Sequence, residues 1–140
     1  MKYDNQKGIT LVKLLIIIIV LGAIIGIMFI LLNNEKAKTR DAKRLSDISR
    51  LQAAFELMYS DTASYEQAAK NGCSQVGMTA SQCNLKNYIP SINQFKDPGR
   101  YQYLVSKVPS EDGYEITFYL EKSYYNLEAG KHTLSPQGIK

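Results

Sequence analysis

The sequence predicts an α+β chain, with one long amino-terminal helix, transmembrane in its first half and amphipathic in its second, packed on a small antiparallel β-sheet. Three observations predict it. An apolar run from Leu14 to Leu32 contains nothing more polar than Gly22 and Gly26. Behind it, Leu45, Ile48, Leu51, Phe55 and Met58 recur at steps of three and four, which traces one face of a helix. Near the carboxyl end, Tyr114, Ile116, Phe118 and Leu120 alternate with Glu115, Thr117, Tyr119 and Glu121, the period of a half-buried strand.

The apolar run comes first. At about 1.5 Å per residue, 14–32 spans close to the roughly 30 Å hydrocarbon core of a bilayer. A cleavable secretory signal has an apolar region of about 7–15 residues followed by small residues. This run is longer and closes on Met28, Phe29, Ile30, Leu31 and Leu32, so it reads as a retained anchor. No proline occurs before Pro90, so one helix is expected over 9–59, ending where Ser60, Asp61, Thr62 and Ser64 favour a turn. Arg40, Asp41, Lys43, Arg44, Asp47 and Arg50 fall largely off the apolar stripe and are expected to form a solvated face.

Residues 60–140 form one small head, near the size at which a core alone is marginally stable. Cys73 and Cys83 lie in a polar, loop-like stretch, with a helical turn expected near 79–83. In an exported domain an even cysteine count reads as a disulfide, and in a cytoplasmic one as two free thiols. Beyond Pro98-Gly99, a short strand is expected over 101–105 and a hairpin turn over Pro109-Ser110-Glu111-Asp112-Gly113. The alternating strand follows, then a turn at Ala129-Gly130, then a last strand over 131–134 before Pro136. One face of this sheet would cover the stripe from Leu45 to Met58. The chain has ten tyrosines and no tryptophan. Tyr101, Tyr103, Tyr114, Tyr119, Tyr124 and Tyr125 belong to the strand region, where aromatic residues pair across strands. Subunit contact or ligand stacking is the lesser reading of them.

The residues that could carry chemistry are few. His132, the only histidine, has no cysteine or nucleophile motif near it and reads as a surface residue. The cysteines lack the paired spacing of a zinc site. Glu111-Asp112-Gly113 lacks the alternating ligands of a calcium loop and is more simply a turn. No catalytic set, metal site or cofactor is therefore expected, and the chain does not read as an enzyme. The net charge of +4 is concentrated at Lys36, Lys38, Arg40, Lys43, Arg44 and Arg50. Such a stripe could meet acidic lipid headgroups or nucleic acid. The second is weaker, because no aromatic residue is interleaved with the basic ones.

The stretch Gly8-Ile9-Thr10-Leu11-Val12-Lys13, with a short basic leader before it and the apolar run behind it, resembles the class III signal of type IV pilins and type II secretion pseudopilins. Arg40-Asp41-Ala42-Lys43-Arg44 and Asp47 to Ala54 look like the helix of pseudopilin-type pilins. Asp97-Pro98-Gly99 before Tyr101-Gln102-Tyr103 is similar to the segment that leads into their sheet. The resemblance implies a pilin-like fold. It also implies a leader over 1–8, cut by a prepilin peptidase between Gly8 and Ile9, with methylation of the new amino terminus. Thr10 and Leu11 match the usual pair behind the cut, and Gly22 falls where many members have glycine. The implied partners are other pilin subunits, the prepilin peptidase, an inner-membrane assembly platform, and membrane lipid before assembly. Some pseudopilins hold calcium in an acidic loop. Here the stretch from Lys122 to His132 offers only Glu128, so that site is not carried over.

Lys13 departs from the family, which usually has a glutamate there to meet the amino terminus of a neighbouring subunit. Two unit charges at 4 Å interact by about 4 kcal/mol at an effective dielectric of 20, and lysine makes the sign repulsive. Members without the acidic residue are often minor subunits or sit at the filament tip, so a minor or initiating role is favoured. Topology has two opposing signals. The positive-inside tendency places the basic flank at 36–44 in the cytoplasm. The resemblance and the cysteine pair place it outside, and as two features they outweigh it. The expected arrangement is a single-pass protein with a cytoplasmic amino terminus and an extracytoplasmic head, carried to a surface filament on assembly. The alternative is a membrane-anchored surface-binding module that does not polymerise.

Overall fold

The computed structural model of the chain describes residues 6–140, with side chains from Leu11 onward. Helix α1 runs Gln6–Thr62 and a short α2 runs Glu66–Ala69, followed by single 3-10 turns at Ala80–Gln82 and Ile92–Gln94. Four strands follow: β1 (Leu104–Lys107), β2 (Glu115–Leu120), β3 (Gly130–Ser135) and β4 (Gly138–Ile139). They form one sheet in chain order, every neighbouring pair antiparallel. This is the α+β architecture that the sequence predicts. The chain divides into two compact units, one ending at Lys36 and one running Ala37–Lys140. In the first, every large apolar side chain from Leu11 to Leu32 is between 50% and 69% exposed. The segment has a mean hydropathy of 3.4 over its best window and is long and apolar enough to cross a membrane.

In the second unit α1 is the spine. Ile48, Leu51, Phe55 and Met58 are buried, and Leu45 packs beside them against Val105, Tyr114, Ile116, Phe118, Leu120 and Leu134 of the sheet and its flanks. Each such side chain withdrawn from water contributes about 1.5–3 kcal/mol. The helix outlasts its expected end. Ser60, Asp61 and Thr62 remain helical, and the Thr62 hydroxyl lies within hydrogen-bond reach of the Met58 and Ser64 carbonyls (2.8 Å each), at the point where the helix ends. The chain then leaves at Ala63, which takes a left-handed φ of 52° and donates its amide to the Tyr59 carbonyl (2.7 Å).

Strand positions shift in detail. The first begins at Leu104, so Tyr101 and Tyr103 precede it. Tyr124 and Tyr125 lie in the β2–β3 connection and not in a strand. β4, two residues that pair Ile139 with Leu134, is too short to leave a periodic signal.

Cys73 and Cys83 form a disulfide with a Cα–Cα distance of 4.4 Å, both residues buried. Gly72 permits the crossing of chains beside it. A Cβ there would stand 2.5 Å from the Ala68 carbonyl and 2.6 Å from the Asn84 amide, both backbone atoms. Closing so short a loop is worth about 2–3 kcal/mol in the chain-entropy account. Replacing both cysteines by serine is therefore expected to lower stability by about that amount, read as a lower urea midpoint, with a slope equal or slightly steeper because the unfolded chain loses its cross-link. Adding reductant should reproduce the loss in the parent chain and do nothing to the variant.

Candidate functional site

The residues expected to serve processing and assembly lie along α1. Of the leader 1–8, residues 1–5 lie outside the described residues; Gly8 is described only as part of the helix backbone, and the side chains of Ile9 and Thr10 lie outside the description. Leu11 and Lys13 are exposed on the helix. At Gly22 and Gly26 a Cβ would meet nothing within 4 Å, so the isolated chain has no steric need of glycine at either. These two glycines are four residues apart and share a helix face, a spacing that lets a second helix approach closely in lipid. Cys73 and Cys83 belong to the other compact unit and are paired with each other.

The expectation of a solvated charged face is corrected. Asp41, Arg44 and Asp47 are buried, Arg44 completely. The reason is spacing. Ala37, Asp41, Arg44, Ile48, Leu51, Phe55 and Met58 follow at alternating steps of four and three, so the charged residues continue the core stripe toward the amino terminus. Only Lys43 and Arg50 of that set are exposed, and Arg40 is partly so.

Arg44 is the centre of the cluster this creates. Its Nε and Nη2 donate to the two carboxylate oxygens of Asp97 (2.6 and 2.9 Å). Its Nη1 donates to Asp41 Oδ1 and Glu121 Oε1, each at 2.7 Å. The Tyr101 ring lies 5.3 Å from the guanidinium carbon. The carboxylates are saturated in turn. Asp41 accepts the backbone amides of Glu121 and Lys122 (2.8 Å for the latter), Asp97 accepts the Gly99 amide (2.7 Å), and Arg40 holds Glu121 through Nε (2.7 Å) and Nη2. A Cβ at Gly99 would stand 2.8 Å from Arg44 Nη2, so a larger residue there would have to displace the guanidinium. A turn further along α1, Asp47 accepts Lys43 Nζ (2.6 Å) and the Tyr103 hydroxyl (3.1 Å).

This cluster joins α1, the segment before β1 and the end of β2. With all three guanidinium nitrogens of Arg44 and both oxygens of Asp41, Asp97 and Glu121 engaged within the protein, the cluster is suited to position those elements. Among the described residues no three His, Cys, Asp or Glu side chains are placed to hold a metal ion. His132 is half-buried where a surface position was expected. Its ring lies 5.6 Å from that of Phe118, and its Nε2 donates to the Glu128 carbonyl (2.7 Å).

The electrostatics follow from the geometry. Hydrogen bonds from Arg40, opposed by burial and reinforced by Arg44, push Glu121 down to about 2. Burial would raise Asp97, but the Arg44 guanidinium and the Gly99 amide outweigh it and hold Asp97 below its ordinary value. A carboxyl with a depressed folded pKa contributes stability that is fully present above its unfolded value and is lost as pH falls through its folded one. The head should therefore keep this contribution above about pH 4.5 and lose it as pH falls toward about 2, the window set by Glu121. Urea midpoints measured from pH 6 to pH 2 check this. In Glu121→Gln the decline across that window should be shallower.

No family model, no characterised protein and no solved structure matches the chain.

Proposed function

We propose that this chain is a pilin-like filament subunit. It is exported, cut between Gly8 and Ile9 by a prepilin peptidase, held in the membrane by 14–32, and assembled with other subunits in a minor or initiating role. Helix α1 carries the reading. Its apolar side chains from Leu11 to Leu32 are at least half exposed, whereas from Ala37 the same helix is the spine of a disulfide-bonded α+β head. An all-round apolar helix needs lipid or other helices around it. A filament subunit uses both in succession, with Gly22 and Gly26 offering a face for close helix approach. The disulfide supports a head outside the cytoplasm.

Lys13 favours a second reading, an anchored surface module that never polymerises, because a lysine there repels a neighbouring amino terminus. One experiment separates the two. Amino-terminal sequencing of the cellular protein is expected to read Ile9-Thr10-Leu11 where prepilin peptidase is active, and Gly8→Leu should block the cut. A mature protein that still begins at Met1 would remove the case for filament entry.

A further inference from the structure

We propose that the β1–β2 turn of one copy, carrying Glu111 and Asp112, docks in a cationic recess at the other end of the head of a second copy, against Lys96 and Arg100. The proposal rests on the filament reading and deepens it, by naming two head surfaces that meet. The recess encloses about 360 Å³ between the disulfide loop, at Thr79 and Ser81, and the segment before β1. Lys96 and Arg100 line it, and both are exposed. Asp97 is the one carboxylate in its wall, and Arg44 already neutralises it. Among the described residues Lys96 has no ion-pair partner. Arg100 bonds the Tyr101 hydroxyl (3.3 Å), and Glu121, whose charge it senses, is taken by Arg40 and Arg44. The recess therefore keeps two positive charges that its own head does not answer.

The same head presents the complement. Glu111-Asp112 is the only pair of adjacent acidic residues in the chain, and both are exposed. Neither has an ion-pair partner among the described residues. The turn is well tied down. The Ser110 amide and hydroxyl donate to the Gly113 carbonyl (2.9 and 3.2 Å), and the Ser110 carbonyl accepts the Tyr65 amide (3.2 Å). Those bonds hold it just past the end of α1. The recess is held lower on that helix, where the Tyr103 hydroxyl donates to Asp47 (3.1 Å) and Arg44 binds Asp97. From Asp47 to Thr62 the helix rises about 22 Å, beyond the reach of any side chain. One head therefore cannot bring its turn to its own recess, but two copies can. The contact joins different surfaces, so each added copy leaves one recess and one turn free, as an open filament requires. Acidic lipid or nucleic acid would meet the two cations and leave the turn unanswered. A second copy satisfies both sites, and charge complementarity of this kind sets partner and register.

A carbodiimide couples a lysine amine to a carboxylate in direct contact, forming an amide with loss of water. Unlabelled and isotope-labelled full chains are mixed in zwitterionic detergent, coupled, digested and read by mass spectrometry. The expected result is a link from Lys96 to Glu111 or Asp112 that pairs a labelled with an unlabelled peptide. Its yield should fall about tenfold in Arg100→Glu, which keeps the amine but brings like charges together. It should return in the double variant Arg100→Glu, Asp112→Arg, where the charges are exchanged. Links confined to single chains would overturn the proposal, as would mixed links at other residues alone or a yield indifferent to Arg100→Glu. Shielding of Lys96 from acetylation by added phosphatidylglycerol, with no mixed link, would assign the recess to acidic lipid and overturn it too. Absence of the link in a chain whose cellular form begins at Ile9 would remove the contact and leave the filament reading standing. A cellular form that still begins at Met1 would remove that reading whatever the links show. Far-UV circular dichroism and an intact Cys73–Cys83 bond establish that each variant is folded.

Discussion

Arg44→Met is expected to destabilise the head by about 3–5 kcal/mol, the usual consequence of removing one partner from a buried ion pair. The arginine is 0% exposed, and its loss would leave Asp41 and Asp97 buried without their cation. Domains of ordinary stability have about 5–15 kcal/mol in all, so the variant should approach the unfolding threshold. Urea melts of the full chain in detergent, followed by far-UV circular dichroism, would measure it. Arg50→Met is the control. That residue is exposed and lies over the Phe95 ring at 4.8 Å, an arrangement worth about 0.5–1 kcal/mol. Equal losses for the two variants would show that the cluster is no more than a surface feature. The double variant Arg44→Met, Asp97→Asn should recover part of the loss, because one of the stranded charges is removed along with the cation.

The size of that effect comes from what the cluster joins. Asp41 and Arg44 are one turn apart on α1, whereas Asp97 and Glu121 come from the segment before β1 and the end of β2. An apolar contact tolerates small slips of one element against another. A bidentate pair and the two amides that Asp41 accepts do not. The cluster thereby fixes the register of the helix against the sheet, which burial of Ile48, Leu51 and Phe55 alone leaves looser.

How much of this could be read from the residues depended on the type of signal. The apolar run, the stripe from Leu45 to Met58 and the alternation from Tyr114 to Glu121 are periodic patterns of hydrophobic residues, and each became the element it predicts. The cluster was hidden because hydrophobicity was the only marker of the core. Asp41 and Arg44 obey the same four-and-three spacing as Ile48 and Leu51, and the spacing was the available clue. Their partners Asp97 and Glu121 lie 53 and 77 positions from Arg44 and have no periodic relation to it. The turn from Tyr124 to Leu127 in the β2–β3 connection was likewise missed, since Tyr125 in a left-handed conformation runs against the turn preferences that a sequence reading relies on.

At the far end of the same stripe, Phe55→Ala should cost about 3–5 kcal/mol, while Tyr114→Phe, its stacking partner, should be neutral or stabilising by about 1 kcal/mol. The rings of Phe55 and Tyr114 stack with centroids 3.8 Å apart, and Tyr65 meets both edge-on at 6.2 and 5.1 Å. Truncating Phe55 removes the central ring and opens a cavity that rigid neighbours from helix and sheet cannot collapse to fill. The Tyr114 hydroxyl has the opposite character. It is buried without a hydrogen-bond partner, and burial, with Glu56 and Tyr65, pushes its pKa up, as expected for a hydroxyl in a dry surrounding. Removing that oxygen keeps the stacked ring and relieves an unmet polar group. Thermal melts of the two variants would therefore move in different directions or by very different amounts. A loss of about 1–3 kcal/mol in Tyr114→Phe would mean that the hydroxyl is hydrogen-bonded in solution, and the helix–sheet core would then be wetter at this point than the packing of Phe55 implies.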